Sequence, residues 1–593
     1  MPLNPLTGTL GRKRAAHLLH RTCIGGTIAE IDSFASLTPA EAVNQLFNAE
    51  LPDPTLPVDP LTGQEWITTG NSQSENFELD RYFLSWHLGQ MLGNGVEEAQ
   101  KLSYIFRERL VFFFHTHFTT KKSTVRNSRA LFYQQALFRL YAFDQEDLVI
   151  PPEDPEDPDA TDRIVPRNFK ELTKKLCIDN AMLVFLDGRL NVKGSVNENF
   201  ARELLELYSV GRGLEGTVPE PAFDGDYFVF TEQDVQEGAK VLSGFNVDDT
   251  FSSLDDDTGL PRGVVKGNIN NASQHEEGSK TFSSRLGGGT VVPDDELLFG
   301  GNPTEESVID EISQFVDLIY DQAETTRSIC REIYRFFVYH QIDQTLQDGI
   351  IQDMADVFIA NEFKLQPVLE ALFTSEHFYE GAAGADDNNF GSIIKSPIDL
   401  ALGFIRNFEI ALPDYENELN SYYEFFGDLL GEINRQGMDY YEPFEVAGYA
   451  AYHQFPIFNR SWITTNYLTN RYNFINQRLT DGTNMEMGQV DVFDFVVRNF
   501  DPATIRIVDD FIIAVAAYFL PNSDNLSFDS DGGELTTERL TYFKTAMFAF
   551  AIDPDPITRW TERWDGDEDA NARANQIKEL LNAMLQSPEY QLM

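Results

Sequence analysis

Cysteine is scarce in this chain, and the scarcity excludes two architectures at once. Its 593 residues include 3 cysteines, Cys23, Cys177 and Cys330. An odd number, widely spaced and without a Cys-x-x-Cys pair, makes neither a disulfide framework nor a zinc knuckle. Each is expected in the core as a small apolar residue. Long apolar runs are missing too. The N-terminal stretch MPLNPLTGTLGRKRAAHLLHR has no run of signal-peptide length. The most apolar window, FIIAVAAYFLP, is stopped by Pro521, well short of the roughly 20 residues that cross a bilayer. A soluble chain without a membrane span is expected, cytoplasmic by default because no signal peptide is visible. Basic residues are in deficit: 45 Lys and Arg stand against 95 Asp and Glu, a net charge of -50. Such a surface repels phosphate backbones and anionic lipid. It excludes nucleic acid as a partner and suits cations, a basic partner or a salty medium. The common catalytic signatures are absent as well: no Gly-x-Ser-x-Gly elbow, no Walker A loop, no His-Glu-x-x-His, and no Gly-x-Gly-x-x-Gly between a strand and a helix.

What the chain does have is apolar mass. Hydrophobic residues make up 42% and aromatics 12%, with 47 Phe, enough for a large core. Helical periodicity runs through most of it. RKRAAHLLHR, TPAEAVNQLF, ELDRYFLSWHLGQML and EEAQKLSYIFRERLVFFFHTHF repeat apolar residues at i, i+3, i+4 and i+7. Thr38, before Pro39, reads as an N-cap with proline at the first helical position. The fold class expected is mainly α, a large multi-helix single unit with a small irregular, β-containing insertion. Its parts in order are an N-terminal helical part (1–150), an acidic proline-rich loop (151–166), a helical core with a signature motif (167–245), a Gly- and Asp-rich insertion with short strands (246–303), and a C-terminal helical part (304–593).

The signature is SVNENFARELLELYSVG, residues 195–211. Ser195 and Glu198 have capping-box spacing. Phe200, Leu204, Leu207 and Tyr208 form an apolar face, while Asn199, Glu203 and Glu206 form a polar stripe. Arg202 lies four residues from both Glu198 and Glu206, the spacing of helix ion pairs. Two readings stay open: a capped helix with surface ion pairs, or a helix that turns Asn199, Arg202 and Glu203 towards a polar cavity.

Taken with FTEQDVQEGAKVLSGF, RKRAAHLLHRTCIGGT, RERLVFFFHTHF, AMLVFLDGRLNVKG, QHEEGSKTF, REIYRFFV, IIKSPIDLALGFIR, SWITTNYLTNR and the terminal SPEYQ, this stretch resembles a large bacterial family known as domain of unknown function 1800. The pieces follow in order along nearly all of the chain. The resemblance implies a single mostly helical unit and no particular activity. It implies export or a cell-surface place for many members, and a neighbouring gene whose product is similar to sulfatases and alkaline phosphatases. The chain departs from the family in lacking the export signal. It also has YHQFPIFNRSW where relatives carry a Pro- and Gly-rich segment around Lys-Gly-Trp.

Several residues could carry chemistry. His115 and His117 end an apolar helix, where positions i and i+2 point about 200° apart and cannot easily share an ion; His117 is expected to be buried. His275, Glu276 and Lys280 lie in a loop-like region suited to binding or catalysis. Converging, His117, Glu203 and His275 would make a two-His, one-carboxylate set for Zn or non-haem Fe, with Asn199, Arg202, Glu203 and Lys280 as the catalytic candidates. SFDSDGGELTTE places Asp529, Asp531 and Glu538 at calcium-loop positions; a solvated acidic loop is the alternative. Two functions follow. One is an acidic helical scaffold working with a protein partner, the neighbouring gene product, in envelope or surface processes. The other is a metal-dependent hydrolase or oxidoreductase with a His/Glu/Asn site.

Overall fold

Capping chemistry cuts the chain into helices. Thr38 accepts from the Glu41 amide while the Glu41 carboxylate reaches back to the Thr38 amide, with Pro39 opening the helix. Thr27 with Glu30 and Ser396 with Asp399 repeat the device. Each such cap contributes about 1 kcal/mol. A computed structural model describes residues 2–47, 50–72, 77–152, 161–380, 392–483, 485–520 and 535–593. The fold is mainly α.

The helix Glu98–His117 is buried from Ser103 to its end, because its apolar residues go nearly all the way round. It packs against Gly11–Cys23, Phe77–Met91 and Ser128–Ala142. One contiguous apolar core runs from Leu10 to Tyr590, so the helical parts form one unit. All three cysteines are buried free thiols. Residues 511–519 of the window read as too short for a bilayer lie in the largely buried helix Val508–Phe519, and among the described residues no helix is long and apolar enough to cross a membrane.

Strands are short and paired in twos. Lys280–Thr281 with Thr290–Val291 lies in the insertion, and Phe245–Asn246 with Val264–Val265 closes its start. Strand structure is not confined there, which corrects the expectation of a single β-containing region. Leu148–Ile150 pairs antiparallel with Arg163–Val165, Val149 opposite Ile164. Residues 163–165, read from sequence as loop, thus pair across the acidic segment. Two β-branched residues, Ile164 and Val165, favour that pairing.

Three helices position the signature. Asn199–Glu206 packs on Glu232–Val241, which packs in turn on the Lys280–Thr281 strand and on Glu305–Tyr320. Gly238 makes this approach close. A Cβ there would sit 2.7 Å from the Phe315 ring and 3.3 Å from Ala201 Cβ, so any larger residue would push the helices apart.

Candidate functional site

The signature helix begins later than its spacing suggests. Ser195 forms no capping box; its amide donates to Val192 in a turn, and the helix starts at Asn199 with no side-chain cap from Glu198. Two asparagines take over instead. The Asn191 side chain accepts from the Asn197 amide, and Asn197 accepts from the Asn199 amide, both at 3.0 Å. Asn199 itself donates to the Leu186 carbonyl at 3.2 Å.

The ion pairs are present, with a partner the local spacing could not reveal. Arg202 donates to Glu198 at 3.2 Å, as expected, but its shorter bond, 2.7 Å, goes to Glu232 at the start of the next helix. Tyr227 completes the set, its hydroxyl donating to Glu232 at 2.8 Å and accepting from Arg202 at 3.1 Å. The Glu232 bond raises the Arg202 pKa, and Arg202 holds Glu232 below the usual carboxylate range. Glu206 pairs with Arg212 at 2.7 Å rather than with Arg202. Arg202 is therefore a clamp between two helices. Glu203 differs. It is half-buried, and among the described residues its carboxyl has no hydrogen bond or ion pair. Burial, then the neighbouring Glu206 charge, pushes its pKa up to about 7. A carboxyl held there can give or take a proton near neutral pH.

His275 and Lys280 are not on an open loop. Both are 1% exposed, and so is Glu311 of the helix Glu305–Tyr320. Lys280 Nζ bonds Glu311 Oε2 closely. His275 Nδ1 donates to the Ser243 carbonyl at 2.9 Å. Its Nε2 lies 3.2 Å from Lys280 Nζ and 3.3 Å from Glu311 Oε1. Burial lowers the Lys280 pKa, and Glu311 opposes that. The Glu276 carboxylate accepts from the Gly194 amide. This is a closed charge cluster joining the insertion to the core.

His117 is buried among Phe113, Phe118 and Phe169. Its Nε2 donates to the Tyr208 carbonyl at 3.1 Å. Burial, against that bond, brings its pKa down to about 4, so it is neutral. His115 stacks on Tyr441, centroids 3.7 Å apart. His117 and His275 are thus committed to different partners. Among the described residues no group of three His, Cys, Asp or Glu is placed to hold a metal ion, and the set of His117, Glu203 and His275 is not assembled. Asp529 and Asp531 lie outside the described residues; Glu538 is in the first turn of a helix capped by Thr536. The sequence reading missed Glu232 and Glu311, whose sole signal is an acid near the start of a helix (Glu232) or inside one (Glu311).

One surface stands apart. Phe444 is 92% exposed and Phe455 57%, with Val446, Ile457 and Ile463 also exposed nearby in sequence. His453 Nε2 lies 4.0 Å from Glu445 Oε2, which brings the two stretches together. Phe455 and Ile457 belong to the segment YHQFPIFNRSW.

Comparison with known proteins adds a family and no activity. A family model described as "Protein of unknown function (DUF1800)" matches residues 17–592. No curated protein matches, and no solved structure does.

Proposed function

The chain belongs to the DUF1800 family of proteins of unknown function, and from that premise we propose that it is an acidic helical scaffold working with a protein partner, the sulfatase- or phosphatase-like product of the neighbouring gene, in envelope or surface processes. The observation that carries this reading is the exposed apolar stretch at Phe444 and Phe455 on a chain of net charge -50. Clustered exposed aromatics are the anchors of protein interfaces, and solvating them alone has a cost. The candidate site residues support the same reading, since Arg202, Lys280, His275 and His117 are all spent on internal partners. Co-expression with the tagged neighbouring gene product tests it. The reading expects the two to elute together in fixed ratio at physiological salt; a partner that elutes alone overturns it.

A second reading, a hydrolase or oxidoreductase, rests on Glu203, whose carboxyl has no partner among the described residues and whose pKa burial raises to about 7. Metal content of the purified protein tests its metal-dependent form. Near-stoichiometric Zn, Fe or Mn, lost in both Glu203→Ala and His117→Ala, would favour the enzyme. Calcium alone, unaffected by either change, would place the ion in the acidic loops.

A further inference from the structure

One cavity of this acidic chain is lined by three arginines. The cavity measures about 620 Å³. It lies over the helices Glu98–His117 and Ser128–Ala142 and is closed by segment 51–56 and by Thr258 and Leu260 of the insertion. Arg107, Arg139 and Arg167 line it. The acids on its wall, Asp53 and Glu146, are exposed at the rim.

The deepest arginine is incompletely satisfied. Arg139 is 9% exposed. Its Nε and Nη2 donate to the two oxygens of Glu108 at 2.8 and 2.7 Å. Its Nη1 is buried and meets no acceptor among the described residues. Arg107 donates Nη2 to the Pro52 carbonyl at 3.0 Å, and its Nε pairs with Glu108 Oε1 at 3.4 Å. Arg167 donates Nε to the Glu146 carbonyl at 2.7 Å. One carboxylate, Glu108, therefore sits behind two guanidinium groups, which keeps a positive charge on the Arg107–Arg139–Glu108 floor, and Arg139 Nη1 is the donor left over among the described residues. Buried donors are almost always matched. The other wall is apolar, from Phe47, Leu140, Phe143 and Leu260.

We propose that this cavity binds a small organic anion. A carboxylate or phosphate head would lie on Arg139 and Arg107, where guanidinium forks match either group, and an apolar body would lie against Phe143 and Leu260. The volume is that of a small-molecule site. The site is independent of the partner surface at Phe444.

Calorimetric titration of the full chain tests it with four probes: octanoate, octyl phosphate, 1-octanol and inorganic phosphate. One equivalent of octanoate or octyl phosphate should bind, and which of the two binds better names the head group. Octanol and inorganic phosphate should each bind at least about tenfold more weakly, for want of head or body. Arg139→Gln could unfold the chain by stranding Glu108. Arg167→Gln and Leu260→Trp leave that pair intact, the first reducing rim charge and the second filling the apolar end. Each should weaken the anion by about tenfold or more while the circular dichroism spectrum is kept. No binding of either anion, octanol binding as tightly as octanoate, or unchanged affinity in both folded variants would overturn the proposal.

Discussion

Two arginine–glutamate pairs in this molecule have the same length and opposite weight. On the signature helix Arg202 meets Glu232 at 2.7 Å with side chains 28% and 35% exposed. Beneath the cavity Arg139 meets Glu108 at 2.7 Å with side chains 7% and 0% exposed. Water screens the first, so it contributes about 0–1 kcal/mol. The second has lost its water, and removing one partner leaves a buried charge at a cost of roughly 3–5 kcal/mol. Neither pair is visible in local spacing: Glu232 follows Arg202 by 30 residues. The stronger joins two helices 31 residues apart, and no local spacing announces it.

The comparison can be broken most forcefully at its buried end. Glu108→Gln should cost about 3–5 kcal/mol in denaturant unfolding, since Arg139 and Arg107 lose their counter-charge. Glu311→Gln should come next, at about 3 kcal/mol, by stranding Lys280; adding Lys280→Met should restore part of the loss, because an apolar pair has no charge to desolvate.

Glu203→Gln should act with the opposite sign. The Glu203 pKa is raised from the ordinary 4.5 to about 7, so the folded chain holds a proton that the unfolded chain releases. Wild-type stability then rises as pH falls from 7 towards 4.5 and is lost as pH rises through 7. The glutamine variant should be the more stable by about 1 kcal/mol at pH 8, after allowance for solvent screening, and equal to wild type near pH 4.5. A gap that does not move with pH would mean that Glu203 does not titrate there. The smallest effect belongs to Glu232→Gln, about 0.5 kcal/mol and vanishing in 1 M salt.

How much could be read in advance follows from range. Thr38 with Glu41, the apolar face of Phe200 and Leu204, the Arg202–Glu198 pair and the buried cysteines all depend on residues close in sequence or on side-chain chemistry alone. These were legible. Ser195 failed as a cap because the Asn191 and Asn197 side chains reach the amides first. The 163–165 strand was hidden because its partner lies across the acidic segment. His275 and Lys280 looked like open-loop residues because Glu311, which permits their burial, comes 31 residues after Lys280. The arginine cavity was invisible for the same reason, drawing on residues as far apart in sequence as Asn44 and Gln366.

The most direct test of the account is sedimentation velocity of the purified neighbouring gene product mixed with wild-type chain and with the double variant Phe444→Asp, Phe455→Asp. The account predicts a faster-sedimenting complex with wild type and at least about a hundredfold loss of affinity in the variant, as expected for two buried aromatic anchors. No complex with wild type, or equal complex formation by the variant, would contradict it.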